Sequence, residues 1–248
     1  MRLRVKEVNG KPCTIVPEAK DPASTVASTV ASTVAPTVVT RSLLARLYLW
    51  SCERLYAELA WHYDLVSWLV SAGQWRQWQR GVWAEVRGRA VLEIGCGTGA
   101  MLVEGERRGL HMVGLDRAPR MLAVAYHRLL QAACRVPLLQ SDGHTLPLED
   151  GTFDTVMATF PAGYILDEAT LQEARRVLHA EGRLVILGLW VALEAGGMER
   201  FLPIFYGRPR QHALDAIAQK LRAVGFAPRW VEQRIGPFVV GVLVGERE

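Results

Sequence analysis

The run Val91-Leu92-Glu93-Ile94-Gly95-Cys96-Gly97-Thr98-Gly99 restricts this chain more than any other stretch. Val91, Leu92 and Ile94 follow one another without a turn residue, as in a short strand buried on both faces of a parallel sheet. The three glycines then allow a sharp turn and leave bare backbone against which a ligand can lie. From Ala100 to Arg108 the pattern is helical, so the free N–H groups and positive end of that helix face the same crevice. Strand, glycine loop and helix in this order form a nucleotide-type cradle at the carboxyl end of a first strand. Two ligand classes stay open on these residues alone, because Gly95, Gly97 and Ala100 also satisfy the G-x-G-x-x-G/A spacing of dinucleotide binding.

Downstream of the cradle, alternating strand and helix patterns predict a doubly wound α/β architecture: a mostly parallel, seven-stranded, Rossmann-like sheet. Strands are expected at 89–95, 111–116, 136–140, 153–158, 183–189, 227–235 and 238–245. Helices between them carry buried stripes: Leu122, Ala125 and Leu129 behind Pro119, then Leu171, Ala174 and Leu178, then Leu214, Ile217, Leu221 and Val224. The last two strands are separated only by Gly236-Pro237, too little chain for a crossover, so they form an antiparallel hairpin and a reversed edge strand.

Upstream the composition changes. Residues 1–40 contain Ala-Ser-Thr-Val three times and the variant Ala35-Pro36-Thr37-Val38, a period with no amphipathic face, and are expected to be a disordered tail. Residues 41–88 read as a helical lid, its third helix over 74–86. Six of the eight tryptophans lie between Trp50 and Trp83, which suits a lid that packs on the sheet and walls a pocket. Residues 89–248 are the ligand-binding domain. A net charge of +4 without a Lys/Arg block argues against a nucleic-acid partner. The four cysteines form no C-x-x-C pair, as expected for free thiols in a cytoplasmic protein with no metal site. No apolar run reaches the ~18 residues that span a bilayer, although peripheral membrane contact stays open.

Two acids extend the cradle. Asp116 ends the second strand, about twenty residues past the loop, where a carboxylate takes both hydroxyls of a ribose. Asp142-Gly143 ends the third, where the acid accepts from the exocyclic amine of adenine and the glycine lets the ring approach. The expected cofactor set is Glu93, Gly95, Cys96, Gly97, Gly99, Asp116, Arg117, Asp142 and Gly143, with Cys96 most simply a space-filling residue.

The stretch Leu146-Pro147-Leu148-Glu149-Asp150-Gly151-Thr152-Phe153-Asp154, and Arg176-Val177-Leu178 followed by Glu181-Gly182-Arg183-Leu184, resemble segments of the class I methyltransferases of the type 11 group. That resemblance implies S-adenosylmethionine as cofactor and methyl transfer as the activity. Tyr63-Asp64-Leu65-Val66 and the run from Ser71 to Trp78 are similar to the opening of the quinone C-methyltransferases of ubiquinone and menaquinone synthesis. Phe160-Pro161-Ala162-Gly163-Tyr164 stands where those carry Asn-x-Arg-Asn, and it is not the Asn/Asp-Pro-Pro-aromatic run of base N-methylation. The expected acceptor is therefore a small molecule, apolar or aromatic. Tyr164, Tyr63 and Asp64 are the catalytic candidates, with His62 and Asp167 considered beside them; Asp167 could equally cap the helix bearing Leu171. Phe160, Tyr164, Trp75 and Trp78, with Phe201, Phe205 and Tyr206 of a long loop over 191–210, would wall the acceptor. A nicotinamide-dependent oxidoreductase and a non-catalytic S-adenosylmethionine-binding module are the competing readings.

Overall fold

A computed structural model describes residues 71, 73–193 and 207–248. The repeat tail, the first two expected lid helices, His62, Tyr63, Asp64, Phe201, Phe205 and Tyr206 lie outside the described residues.

The first strand, β1 (Ala90–Ile94), is buried at every position, because helices cover both faces of the sheet and leave no solvent side for alternating polar residues. Before it come α1 (Trp75–Arg80) and a 3-10 turn (Gly81–Ala84). After it come α2 (Ala100–Arg107), β2 (His111–Asp116), α3 (Pro119–Gln131), β3 (Leu138–Gln140), β4 (Phe153–Thr159) and a second 3-10 turn (Gly163–Leu166). The chain continues through α4 (Glu168–Val177), β5 (Leu178–Leu193), α5 (Gln211–Ala223), β6 (Phe226–Ile235) and β7 (Phe238–Arg247). The seven strands lie in the order β3-β2-β1-β4-β5-β7-β6. Successive residues of each strand serve opposite cores. Val91, Val185 and Val242 face Met101 and Leu102 of α2, Leu122 of α3, and Trp78. Leu92, Leu184 and Leu243 face Leu171 and Val177 of α4 and Leu221 of α5.

Three expectations are corrected. The reversed strand is not at the edge: β7 runs antiparallel to β5 on one side and to β6 on the other. Residues 238–245 of β7 are all buried, whereas β6 exposes Arg229, Glu232 and Arg234. An unbroken apolar strand needs both edges paired, and a strand with protruding charges suits the rim. Second, β5 is longer than 183–189. Its ladder jumps from Phe153↔Leu178 to Thr155↔Arg183 and again from Leu187↔Val242 to Val191↔Val240, so 179–182 and 188–190 bulge rather than end the strand. Third, the helix expected over 74–86 tightens to 3-10 geometry after Arg80. Among the described residues no helix is long and apolar enough to cross a membrane.

Two sequence motifs turn out to be joints. Ser71 is buried, and its hydroxyl accepts the Trp75 N–H at 2.9 Å to start α1. Arg176 donates through Nη1 to the Leu148 carbonyl and Asp150, through Nη2 to the Leu146 carbonyl and Glu173, and through Nε to Glu173, all between 2.6 and 2.9 Å. Three of the five guanidinium N–H bonds pin the loop that leads into β4, and the other two hold Glu173 of α4.

Candidate functional site

The candidate site is the crevice at the carboxyl ends of β1, β2 and β4. Its floor is the glycine loop, where Gly95, Gly97 and Gly99 have φ of 75°, 52° and 74°, a region that side chains rarely enter. A Cβ on Gly97 would meet no atom within 4 Å, so its bare face looks into open space, while one on Gly99 would strike Ala125 of α3 at 2.9 Å. Gly99 caps α2, whose first turn holds no acidic residue; its amide end adds positive potential to the floor.

Glu93 stands beside this loop. The residue is 1% exposed, and its Oε1 accepts the Thr159 hydroxyl at 3.5 Å. Its other oxygen, Oε2, is buried with no partner among the described residues. Burial pushes the Glu93 carboxyl well above the ordinary carboxylate range; the Thr159 bond opposes this, and the Asp116 charge adds to it. Asp116 is half-buried. Its Oδ2 accepts the Gly97 N–H and its Oδ1 the Ala118 N–H, each at 2.9 Å. One lone-pair direction per oxygen is left for a ligand hydroxyl. Desolvation raises its carboxyl, and the Ala118 and Gly97 amides pull it back.

At the far end of the crevice, Asp142 is exposed and accepts the His144 N–H at 2.9 Å in a tight local turn. Gly143 is buried with φ of 88°. Asp167 occupies the N-cap of α4 but makes no side-chain capping bond; its carboxylate meets His144 Nε2 at 3.2 Å. Arg117 points to solvent, and its charge lowers the Asp116 carboxyl. Cys96 is buried against Gly114, and burial raises its thiol. It fills space.

Tyr164 spans the crevice. Its hydroxyl lies 2.8 Å from where a Gly95 Cβ would sit, and its ring 3.4 Å from the same position on Gly143. Desolvation raises the phenol far above its ordinary value, so it keeps its proton and can donate a hydrogen bond. Tyr164 therefore lies against Gly95 and Gly143, two glycines of the expected cofactor set.

The opposite wall is aromatic. The Trp75 and Phe160 rings lie 4.2 Å apart between centroids, Trp78 and Phe160 6.1 Å, and Trp78 meets Phe238 edge-on at 4.9 Å. Phe160, directly after β4, has φ of 49°, a costly backbone for a bulky residue that clusters at functional sites. Gly188, in the β5 bulge, permits this pose, since a Cβ there would lie 2.5 Å from the Phe160 ring.

Sequence reasoning missed four residues here. Arg128 of α3 reaches the Thr98 hydroxyl at 2.6 Å and the Thr98 carbonyl at 2.9 Å, tying down the glycine loop. Gln79 of α1 donates to Thr159 at 3.2 Å, and His144 bridges Asp142 and Asp167. Only Thr159 left a trace, as a hydroxyl at the end of an otherwise buried strand. An arginine or glutamine on a helix gives no such sign.

A parallel core with a reversed strand inserted near one edge, a glycine loop after β1 and acids near the ends of β1 and β2 make a Rossmann-like cradle. Residues 91–182 match a family model described as a methyltransferase domain. Among curated relatives, the demethylmenaquinone methyltransferase of Thermus thermophilus is 35% identical over 139 residues, which cover 54% of this chain and 63% of that one. The chain thus spans about three fifths of that relative's length. The demethylmenaquinone methyltransferase of Deinococcus radiodurans is 28% identical over 223 residues, covering 79% of this chain and 92% of that one. Among solved structures, a protein of Pyrococcus horikoshii shares the fold, with a TM-score of 0.54, 17% identity, and coverage of 78% of this chain and 95% of that one.

Proposed function

We propose that this chain transfers the methyl group of S-adenosylmethionine to a small aromatic acceptor of the demethylmenaquinone type named in its relatives. The observation that carries the cofactor half is the buried Glu93 carboxyl, with one oxygen lacking a partner among the described residues, beside a glycine loop. A dinucleotide would bring its anionic pyrophosphate onto the glycine loop beside Glu93, whereas a molecule with an ammonium there suits a buried acid; Asp116 serves a ribose in either case. In this reading Glu93 and the loop amides hold the amino-acid end, Asp116 takes ribose hydroxyls, and Asp142 with Gly143 receives adenine.

When bound, the cofactor supplies a methyl group already activated by its positive sulfur. What the chain adds is alignment and the exclusion of water. Trp75 and Phe160 offer flat apolar faces for an aromatic acceptor. The Tyr164 phenol, neutral and set over Gly95, donates a hydrogen bond that orients whichever ligand approaches there. The alignment with the Deinococcus relative over nearly its whole length supports the acceptor class. Tyr63 and Asp64 remain proposed positioning residues on the strength of their motif.

Titration calorimetry with S-adenosylmethionine, S-adenosylhomocysteine and NADH tests the cofactor, and a methyl-mass gain on demethylmenaquinone tests the acceptor. Tight NADH binding with none of the other two overturns the reading. Cofactor binding without methylation of any aromatic acceptor reduces it to a binding module.

A further inference from the structure

We infer that Gln79, Thr159 and Glu93 form a positioning relay through which an occupied cofactor crevice fixes the helix that walls the acceptor side. The inference rests on the cofactor reading above. The three residues come from α1, the last position of β4, and β1. Gln79 Nε2 lies 3.2 Å from Thr159 Oγ1, and Thr159 Oγ1 lies 3.5 Å from Glu93 Oε1.

The direction of the relay is set by its atoms. The Gln79 amide nitrogen can only donate, so the Thr159 oxygen accepts there and spends its single proton on Glu93. Each bond thus points toward the carboxyl. Thr159 is 7% exposed and Glu93 1%, so water competes little and the bonds respond strongly to charge. Burial favours the neutral acid, a weak acceptor. A cation brought beside Oε2 favours the carboxylate, to which the Thr159 hydroxyl makes a charge-assisted bond. The hydroxyl so polarised is a better acceptor for Gln79.

The helix at the receiving end is easily influenced. α1 has six residues, far too few to hold its shape alone, so its seat is set by tertiary contacts. Besides Gln79 these include the Trp75 stack on Phe160, the Trp78 edge on Phe238 and an exposed Arg80–Glu104 pair at 2.9 Å. The face that α1 and Phe160 present is the one proposed for the acceptor. Coupling between sites is reciprocal, so an acceptor seated on Trp75 would tighten the cofactor in turn.

Hydrogen–deuterium exchange on the full chain, with and without S-adenosylhomocysteine, tests this without turnover. Ligand should slow exchange over 75–84 by about fivefold or more, a typical coupling between sites. Gln79→Leu should still bind the ligand, weakened by no more than that factor, while exchange over 75–84 stops responding. Gln79→His, which above neutral pH keeps an uncharged N–H donor of similar reach, should restore the response; this separates a relay from simple loss of packing. If the ligand binds but exchange over 75–84 does not change, or if Gln79→Leu responds as the unmodified chain does, the relay is wrong and the cofactor reading stands. If S-adenosylhomocysteine does not bind at all, both fall together.

Discussion

The two ends of the sheet are built on opposite terms. At the amino ends of the parallel strands, charge is matched by charge. Arg183, 2% exposed, meets Glu246 at 2.6 Å and Glu85 at 3.4 Å, and Glu85 also holds Arg229 at 2.5 Å. Arg176 spends every donor, and Asp154 accepts the Arg89 and Ala90 amides that lead into β1. Even the cleft of about 490 Å³ at that end, lined by Arg175, Arg176 and Arg247 among others, has each guanidinium bonded to a backbone carbonyl. At the carboxyl ends, Glu93 keeps an unpartnered oxygen among the described residues, the glycine loop is held in left-handed backbone, and Phe160 is strained. Complete partners favour stability, and the unmatched groups at the carboxyl ends mark where we propose binding.

Variants at the two ends should therefore separate stability from affinity. The largest effect is expected at the amino end. Arg183→Met takes from Glu246 its closest partner and leaves Glu85 with Arg229, and should cost about 3 kcal/mol in urea unfolding, with S-adenosylhomocysteine affinity nearly unchanged. Affinity falling in step with stability would show the two ends to be one cooperative unit. Next comes Asp116→Ala, which should lose about 1.5–3 kcal/mol of cofactor affinity in calorimetry, the worth of charged hydrogen bonds to hydroxyls.

Glu93→Gln sharpens the comparison further, because the two readouts should move in opposite senses. Affinity for S-adenosylmethionine should drop by about 1–2 kcal/mol as an ionic partner for the ammonium is lost. The free protein should gain stability with rising pH relative to the unmodified chain. The sign comes from the raised carboxyl. Above the ordinary value of 4.5 the unfolded chain releases this proton while the folded chain retains it, so Glu93 erodes stability as pH climbs toward its folded value. Urea titrations at several pH values should show the gap between variant and parent widening across that window; a constant gap would mean that Glu93 titrates normally. The smallest effect is reserved for Tyr164→Phe. Its hydroxyl bonds no described residue, so stability should hold within ~0.5 kcal/mol, while kcat falls about tenfold if the phenol orients the acceptor. Unchanged kcat would leave Tyr164 a crevice filler.

Much of this crevice was legible because its parts are contiguous. Strand, three glycines and helix lie within Val91 to Arg107, and each local rule can be applied without knowing the rest. The Leu146–Asp154 and Arg176 segments were legible as a resemblance but not as a mechanism. Only the coordinates show that Arg176 holds that loop in place. Asp167 read as a cap and turned out to face His144, since either partner satisfies a carboxylate at a helix start. Arg128, Gln79 and His144 were invisible because their polar side chains suit a solvated helix or loop as well as a site.

The sequence by itself determined the cradle, the parallel core, the closing hairpin and the acids at the ends of β1 and β2, all properties of a residue and its near neighbours. Tertiary structure alone decided that β7 would enter the sheet beside β5, that Tyr164 would lie across Gly95 and Gly143, and that one oxygen of Glu93 would stay without a partner among the described residues. Those outcomes depend on groups far along the chain: Thr159 is 66 positions from Glu93, and Gln79 is 80 positions from Thr159. Local pattern reports which face a side chain takes. Whether a buried carboxyl finds a partner depends on what the fold brings to it.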